Sequence, residues 1–96
     1  MSDYSIDEFT AVVDLFKALA SRKRLEILRI LFDSPKCVHE ICELVEISQP
    51  LASQHLRVLR QAKIIALESR GRENIYSIAD EHVRHLVIDA IEHMSE

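Results

Sequence analysis

The chain has 96 residues, with two cysteines, one glycine and two prolines, and its formal charge is −4 at pH 7. Two cysteines are too few for a disulfide scaffold, the first residues lack the pattern of a secretory signal, and no apolar run approaches the roughly 20 residues that cross a bilayer. We therefore expect one cytoplasmic domain over residues 1–96, mainly α-helical, without a membrane segment.

The N-terminal third predicts two helices. Residues 5–8, "SIDE", form a capping-box pattern, and apolar residues follow at helical spacing from Phe9 to Leu19. Ser21 can cap a second helix with a wide apolar face, which ends at residues 33–35, "DSP". A helix this apolar should lie at the centre of the core.

The middle of the chain predicts a helix-turn-helix. The two helices are expected over residues 38–45 and 48–62, and only Glu46 and Ile47 join them. Ser48 is suited to the N-cap of the second helix, and Pro50 falls in its first turn, where its missing N–H does no harm.

After the helix-turn-helix, two β-rich runs, 64–69 and 73–78, flank a turn at Arg70-Gly71-Arg72 and predict a hairpin. A terminal helix starts at Asp80. The fold class is therefore mainly α with a small β-hairpin, as in a winged helix-turn-helix, and a domain this small gains stability as a homodimer.

One face of the predicted helix 48–62 is apolar and the opposite face is polar without any acidic residue. Gln, Ser and Arg are side chains that contact base edges and phosphates, and phosphate responds to this local face rather than to net charge. His55 projects to the apolar side and is expected to be structural. Including the helix start and the hairpin tip, the candidate DNA-contacting residues are Ser48, Gln49, Ser53, Gln54, Arg57, Arg60, Arg70 and Arg72.

The element order, together with "LASQHLRVLR", "GRENIYSI" and "ADEHVRHLVIDAIEHMSE", resembles the ArsR/SmtB family of dimeric winged-helix repressors. The resemblance covers essentially the whole chain. It implies a protein that binds double-stranded operator DNA without metal and releases it when metal binds.

The terminal helix carries Asp80 and His82 at its start and His93 and Glu96 at its end. His82 and His93 are about 16 Å apart along a helix, so one metal ion cannot join them within one molecule. Two copies packed antiparallel would form two equivalent sites of two imidazoles and two carboxylates, which suit zinc, with cobalt as a substitute. The family resemblance implies the ligand role for these four residues. His85 and Asp89 are alternative ligands.

A second candidate sensing site is the sequence Cys37-Val-His39-Glu40-Ile-Cys42. It is similar to the CVCDLC site of arsenite sensors in the same family, but His39 replaces the middle cysteine. A thiol switch between Cys37 and Cys42 is another reading, and two ordinary packed cysteines are a third. Besides a zinc-responsive repressor, the alternatives are a redox- or arsenite-responsive repressor, a metal-blind regulator, a protein-interaction module and a small zinc hydrolase. A hydrolase would need an open metal position, whereas this chain offers four ligands.

Overall fold

The computed structural model describes residues 5–96. Its elements, in chain order, are α1 (Ile6–Leu19), α2 (Arg22–Asp33), β1 (Lys36–Cys37), α3 (Val38–Val45), α4 (Gln49–Gln61), β2 (Ile65–Arg70), β3 (Glu73–Ile78) and α5 (Glu81–Met94). This order confirms the winged helix-turn-helix predicted from the sequence. No helix within the described range is long and apolar enough to cross a membrane.

The sheet differs from the expected hairpin in two respects. It has three antiparallel strands in the order β1-β3-β2, and β1 was not predicted because two residues are too few to show alternation. The turn is also tighter than expected, because Arg70 pairs with Glu73 and only Gly71 and Arg72 lie outside the ladder. Gly71 has a φ of 63°, a left-handed conformation that glycine adopts without steric cost.

Polar side chains cap the N-termini of four helices at the positions expected from the sequence. Ser5 and Glu8 form the predicted capping box, with each side-chain oxygen accepting from the other residue's backbone N–H at 3.2 Å. The hydroxyls of Ser21 and Ser48 and the carboxylate of Asp80 cap α2, α4 and α5 in the same way. These caps satisfy N–H groups that have no partner inside the helix.

Helix α2 lies at the centre of the core, as its apolar sequence predicted. Ile27 and Leu28 have no exposed surface, and α2 packs against α1, α3, α4 and β3. Each fully buried aliphatic side chain contributes about 1.5–3 kcal/mol. The core residues are Ala18, Ile27, Leu28, Leu31, Ile41, Val45, Leu56, Leu59, Ile64, Ile65, Val83 and Val87.

The helix-turn-helix is fixed to α2 at the point where α3 ends. The ammonium of Lys23 donates to the carbonyl oxygen of Val45 at 2.9 Å and to the carboxylate of Glu26 at 3.3 Å. Glu46 then adopts a left-handed conformation with φ 58°, which turns the chain toward α4. Lys23 therefore supplies a cation at the C-terminal end of α3, where the helix dipole favours one.

Apolar side chains of α1 and of the end of α5 are uncovered in the single chain, and Phe16 and Ile91 line the same cavity. Of the residues of α1, only Ala18 is buried, whereas Phe9 and Phe16 are 58% and 52% exposed. Ile91 and Met94 of α5 are 54% and 79% exposed. We call the set Ile6, Phe9, Val12, Val13, Phe16, Ile91 and Met94 the uncovered apolar face.

Lys23→Met is expected to lower the free energy of unfolding by about 1 kcal/mol, because the carbonyl of Val45 loses its charged donor. Arg22→Met is the matched control, since Arg22 pairs with the same Glu26 but is 91% exposed and donates only to that carboxylate. Urea unfolding followed by circular dichroism at one fixed protein concentration compares the variants with the parent. Equal losses in the two variants would contradict this role of Lys23.

Candidate functional site

Helix α4 presents the predicted polar face to solvent. Ala52, Leu56 and Leu59 are buried, and α4 contains no acidic residue. The expected contact residues on the opposite face are all exposed: Gln49, Ser53, Gln54, Arg57 and Arg60. Ser48 is exposed too, but its hydroxyl accepts from the backbone N–H of Leu51 as the helix cap. The arrangement is an exposed, acid-free helix face, and an α-helix is an element that a major groove admits.

The hairpin carries its two arginines at the tip, in different surroundings. Arg70 donates from Nε and Nη2 to the carboxylate of Glu68, at 3.2 and 3.4 Å. This pair is exposed, so it contributes little to stability and exchanges readily for another anion. Arg72 is exposed in the turn itself and forms no ion pair with any residue of the range 5–96.

Three basic residues begin α2, and two of them already have partners within the chain. Arg22 and Lys23 both bind Glu26, and the nearby cations lower the pKa of its carboxyl, with the Lys23 hydrogen bond as the main cause. Arg24 is half-buried, and its Nε is shielded from solvent without a hydrogen-bond acceptor. Of the three, only Lys23 makes a long-range hydrogen bond within residues 5–96, to the carbonyl of Val45, whereas the exposed Arg22 forms only a surface ion pair.

His55 is half-buried on the inner side of α4, as the helical projection predicted. Burial lowers the pKa of its imidazole, and the positive charge of Arg24 lowers it further. Both causes favour the neutral imidazole in the folded protein. His55 is accordingly a packing residue of α4 rather than part of its solvent face.

Asp80 and His82 lie together at the start of α5. The Oδ1 atom of Asp80 accepts from the backbone N–H of Val83 at 3.2 Å and is 3.6 Å from Nδ1 of His82. The side chain of Asp80 is 57% exposed and that of His82 is 98% exposed. A carboxylate and an imidazole thus lie side by side with open coordination positions, and we call this pair the metal half-site.

The other two predicted ligands lie at the opposite end of α5. His93 is in the last turn of the helix, Glu96 follows its C-cap at Ser95, and both are exposed. Within residues 5–96, no three His, Cys, Asp or Glu side chains lie close enough together to hold a metal ion. The exposed alternatives His85 and Asp89 do not complete a site either. A tetrahedral site built on the half-site therefore needs ligands from another molecule.

Cys37 and Cys42 are half-buried free thiols five positions apart in the sequence. Cys37 is the N-cap of α3, its backbone N–H donates to the carboxylate of Glu40 at 3.0 Å, and this hydrogen bond lowers the pKa of Glu40. Cys37 thus ends β1, whereas Cys42 lies within α3. His39 is exposed, and within residues 5–96 it belongs to no group of three potential metal ligands.

The sequence did not predict the contact made by Arg84, which lies two residues after His82. Its Nη1 atom donates to the carbonyl oxygen of Phe32 at 2.8 Å, and its guanidinium carbon is 5.1 Å from the centre of the Phe32 ring. The two residues are 52 positions apart, so no local pattern signals this contact.

Comparison with known proteins agrees with this geometry. A family model described as bacterial regulatory protein, arsR family, matches residues 21–66. The arsenical resistance operon repressor of Bacillus subtilis is 39% identical over 77 residues, which cover 79% of this chain and 73% of that repressor. The chain belongs to the ArsR/SmtB family. The transcriptional repressor SmtB of Mycobacterium tuberculosis is 42% identical over 86 residues, 90% of this chain, and the match spans 64% of that longer relative.

A solved winged helix-turn-helix structure also matches the whole chain. The homodimeric winged helix-turn-helix DNA-binding domain from Mycobacterium bovis superposes with a TM-score of 0.92 at 27% identity, covering 100% of this chain and 89% of that domain. Family members of this kind are transcriptional regulators rather than enzymes.

Proposed function

We propose that this protein is a homodimeric transcriptional repressor that binds operator DNA without metal and releases it when zinc binds between two paired α5 helices. The observation that carries the proposal is the position of the metal half-site. Asp80 and His82 are adjacent and exposed at one end of α5, and His93 and Glu96 are exposed at the other. The homologous repressors named above support the regulatory role.

Dimerisation is supported by the uncovered apolar face. It includes two phenylalanines of α1 and the apolar residues at the end of α5, which a single chain leaves in water. A second copy related by a two-fold axis would bury this face on both molecules at once. The homodimeric state of the matching Mycobacterium bovis domain also supports dimerisation.

In such a dimer, antiparallel α5 helices bring the half-site of one copy beside His93 and Glu96 of the other. The carboxylate of Asp80 both caps the helix and faces the imidazole of His82, so the backbone of the first turn orients the pair. Two imidazoles and two carboxylates are ligands that a tetrahedral zinc ion accepts, and zinc held by them would tie the two helices together. Two equivalent sites per dimer follow from the symmetry.

DNA binding is assigned to the acid-free face of α4, with the hairpin tip as a second contact. The guanidinium groups of Arg57 and Arg60 are exposed on this face and can bind phosphates or base edges of the major groove. Arg72 at the tip can contact an adjacent phosphate. A net charge of −4 does not oppose the assignment of α4, because α4 contains no acidic residue, whereas Glu68 and Glu73 flank the arginines of the hairpin tip.

Arg57→Ala and Arg60→Ala are each expected to weaken DNA binding by about 1–3 kcal/mol, or roughly 5- to 150-fold, through the loss of one base or phosphate contact. Arg29→Ala is the control, because Arg29 is an exposed arginine of α2 that pairs with Asp33. Fluorescence anisotropy would use a labelled duplex that the parent protein selects from random-sequence DNA. Unchanged affinity in both α4 variants would rule out α4 as the DNA-binding helix.

Complementation between two damaged chains tests whether the metal sites lie between subunits. His82→Ala and His93→Ala homodimers should each lose tight zinc binding, since each change damages both symmetric sites. A heterodimer of one His82→Ala chain and one His93→Ala chain should bind one zinc, because one of its sites draws both histidines from undamaged ends. Isothermal titration calorimetry of purified heterodimers gives the stoichiometry.

The matched control carries both changes on one chain and pairs it with an intact chain. Each of its two sites then has one damaged end, so this heterodimer should bind no zinc tightly. Sites within a single chain would reverse the two results, giving no zinc in the complementing heterodimer and one zinc in the control.

A further inference from the structure

Arg84 connects the metal-binding helix to the end of the central helix α2. Its Nη1 donates to the carbonyl oxygen of Phe32 at 2.8 Å, its guanidinium lies over the Phe32 ring, and its Nε is 3.3 Å from the carboxylate of Glu81. The side chain is 30% exposed, whereas that of Glu81 is 71% exposed. The contact with Phe32 is therefore the better shielded of the two.

No side chain of α2 itself could do the same, and the nearby Lys36 donates to the carbonyl and hydroxyl oxygens of the C-cap Ser34 rather than to Phe32. The last turn of α2 contains no basic residue, and its C-cap Ser34 is extended, with φ −172° and ψ 159°. The last carbonyls of a helix have no partner within it, and a cation there is favoured by the helix dipole. Arg84 supplies both the donor and the charge from 52 residues away.

The position of this contact connects the metal half-site with the chain that enters the helix-turn-helix. Arg84 lies two residues after His82, and Phe32 is five residues before Cys37, the N-cap of α3. The chain that leaves α4 is fixed to the same end of α5, because the backbone N–H of Ala79 donates to the carbonyl oxygen of Ile64 at 3.0 Å. The first turn of α5 is thus joined to the DNA-binding helices on both sides.

We propose that Arg84 is the positioning residue that couples the state of the metal half-site to the placement of α3 and α4. This inference rests on the proposed function. The Ala79–Ile64 hydrogen bond is between backbone groups and is independent of residue type, whereas the Arg84–Phe32 contact depends on one side chain. A shift of the first turn of α5 is transmitted to the end of α2 through a short charged hydrogen bond and a stacked ring, a contact that permits little sliding.

The test compares zinc binding and DNA binding in the full-length dimer of Arg84→Met. We expect its zinc affinity without DNA to stay within about twofold of the parent, because all four ligands remain. In the parent, zinc should weaken DNA binding by about 5- to 150-fold, the usual range of such coupling. In Arg84→Met this ratio should fall to within about twofold of one, measured with the same selected duplex.

Two further variants separate coupling from stability. Arg84→Lys keeps a charged donor for Phe32 and should recover part of the ratio, and Glu81→Gln should leave the ratio at the parent value because it affects only the exposed pair. Thermal unfolding of each variant shows whether Arg84 contributes only to stability. If zinc weakens DNA binding by Arg84→Met as strongly as by the parent protein, while the variant is less stable, the inference is overturned and the proposed function stands. If zinc does not change the DNA affinity of the parent protein, both are overturned.

Discussion

Burial of α2 is the constraint on which the other elements depend. Ile27 and Leu28 of this helix have no exposed surface, and α2 contacts both helices of the helix-turn-helix. Each end of α2 also takes part in one long-range polar contact, Lys23 with the carbonyl of Val45 and the carbonyl of Phe32 with Arg84. The helix-turn-helix is attached near one end of α2 and α5 at the other, so α2 fixes their relative positions.

This arrangement leaves exposed the groups that a regulator needs. The polar face of α4, the hairpin tip and both ends of α5 are in solvent, while the apolar side of α1 and the last turn of α5 remain uncovered in one chain. The same helix therefore presents the proposed metal ligands at its ends and apolar contact surface near its C-terminus. Dimerisation and metal binding would then use one surface, so each is expected to influence the other.

Much of this organisation could be predicted from the sequence because it depends on local patterns. Capping residues and apolar periodicity placed α3 at its observed bounds and the other helix boundaries within two residues. The strand β1 was missed because two residues carry no period, and the hairpin turn was one residue too long in the prediction. The contacts of Lys23 and Arg84 span 22 and 52 residues and depend on tertiary packing, so no spacing rule reveals them. Pairing of the two ends of α5 across a dimer remains a prediction.

If zinc and DNA oppose each other on one dimer, thermodynamic linkage requires that each weakens the binding of the other. Zinc affinity should be measured by competition with a chromophoric chelator, first for the free dimer and then for the dimer saturated with the selected duplex. We expect DNA to weaken zinc binding by the same factor by which zinc weakens DNA binding, about 5- to 150-fold. Equal zinc affinity with and without DNA would rule out the proposed repressor mechanism, because the metal site would then have no influence on repression.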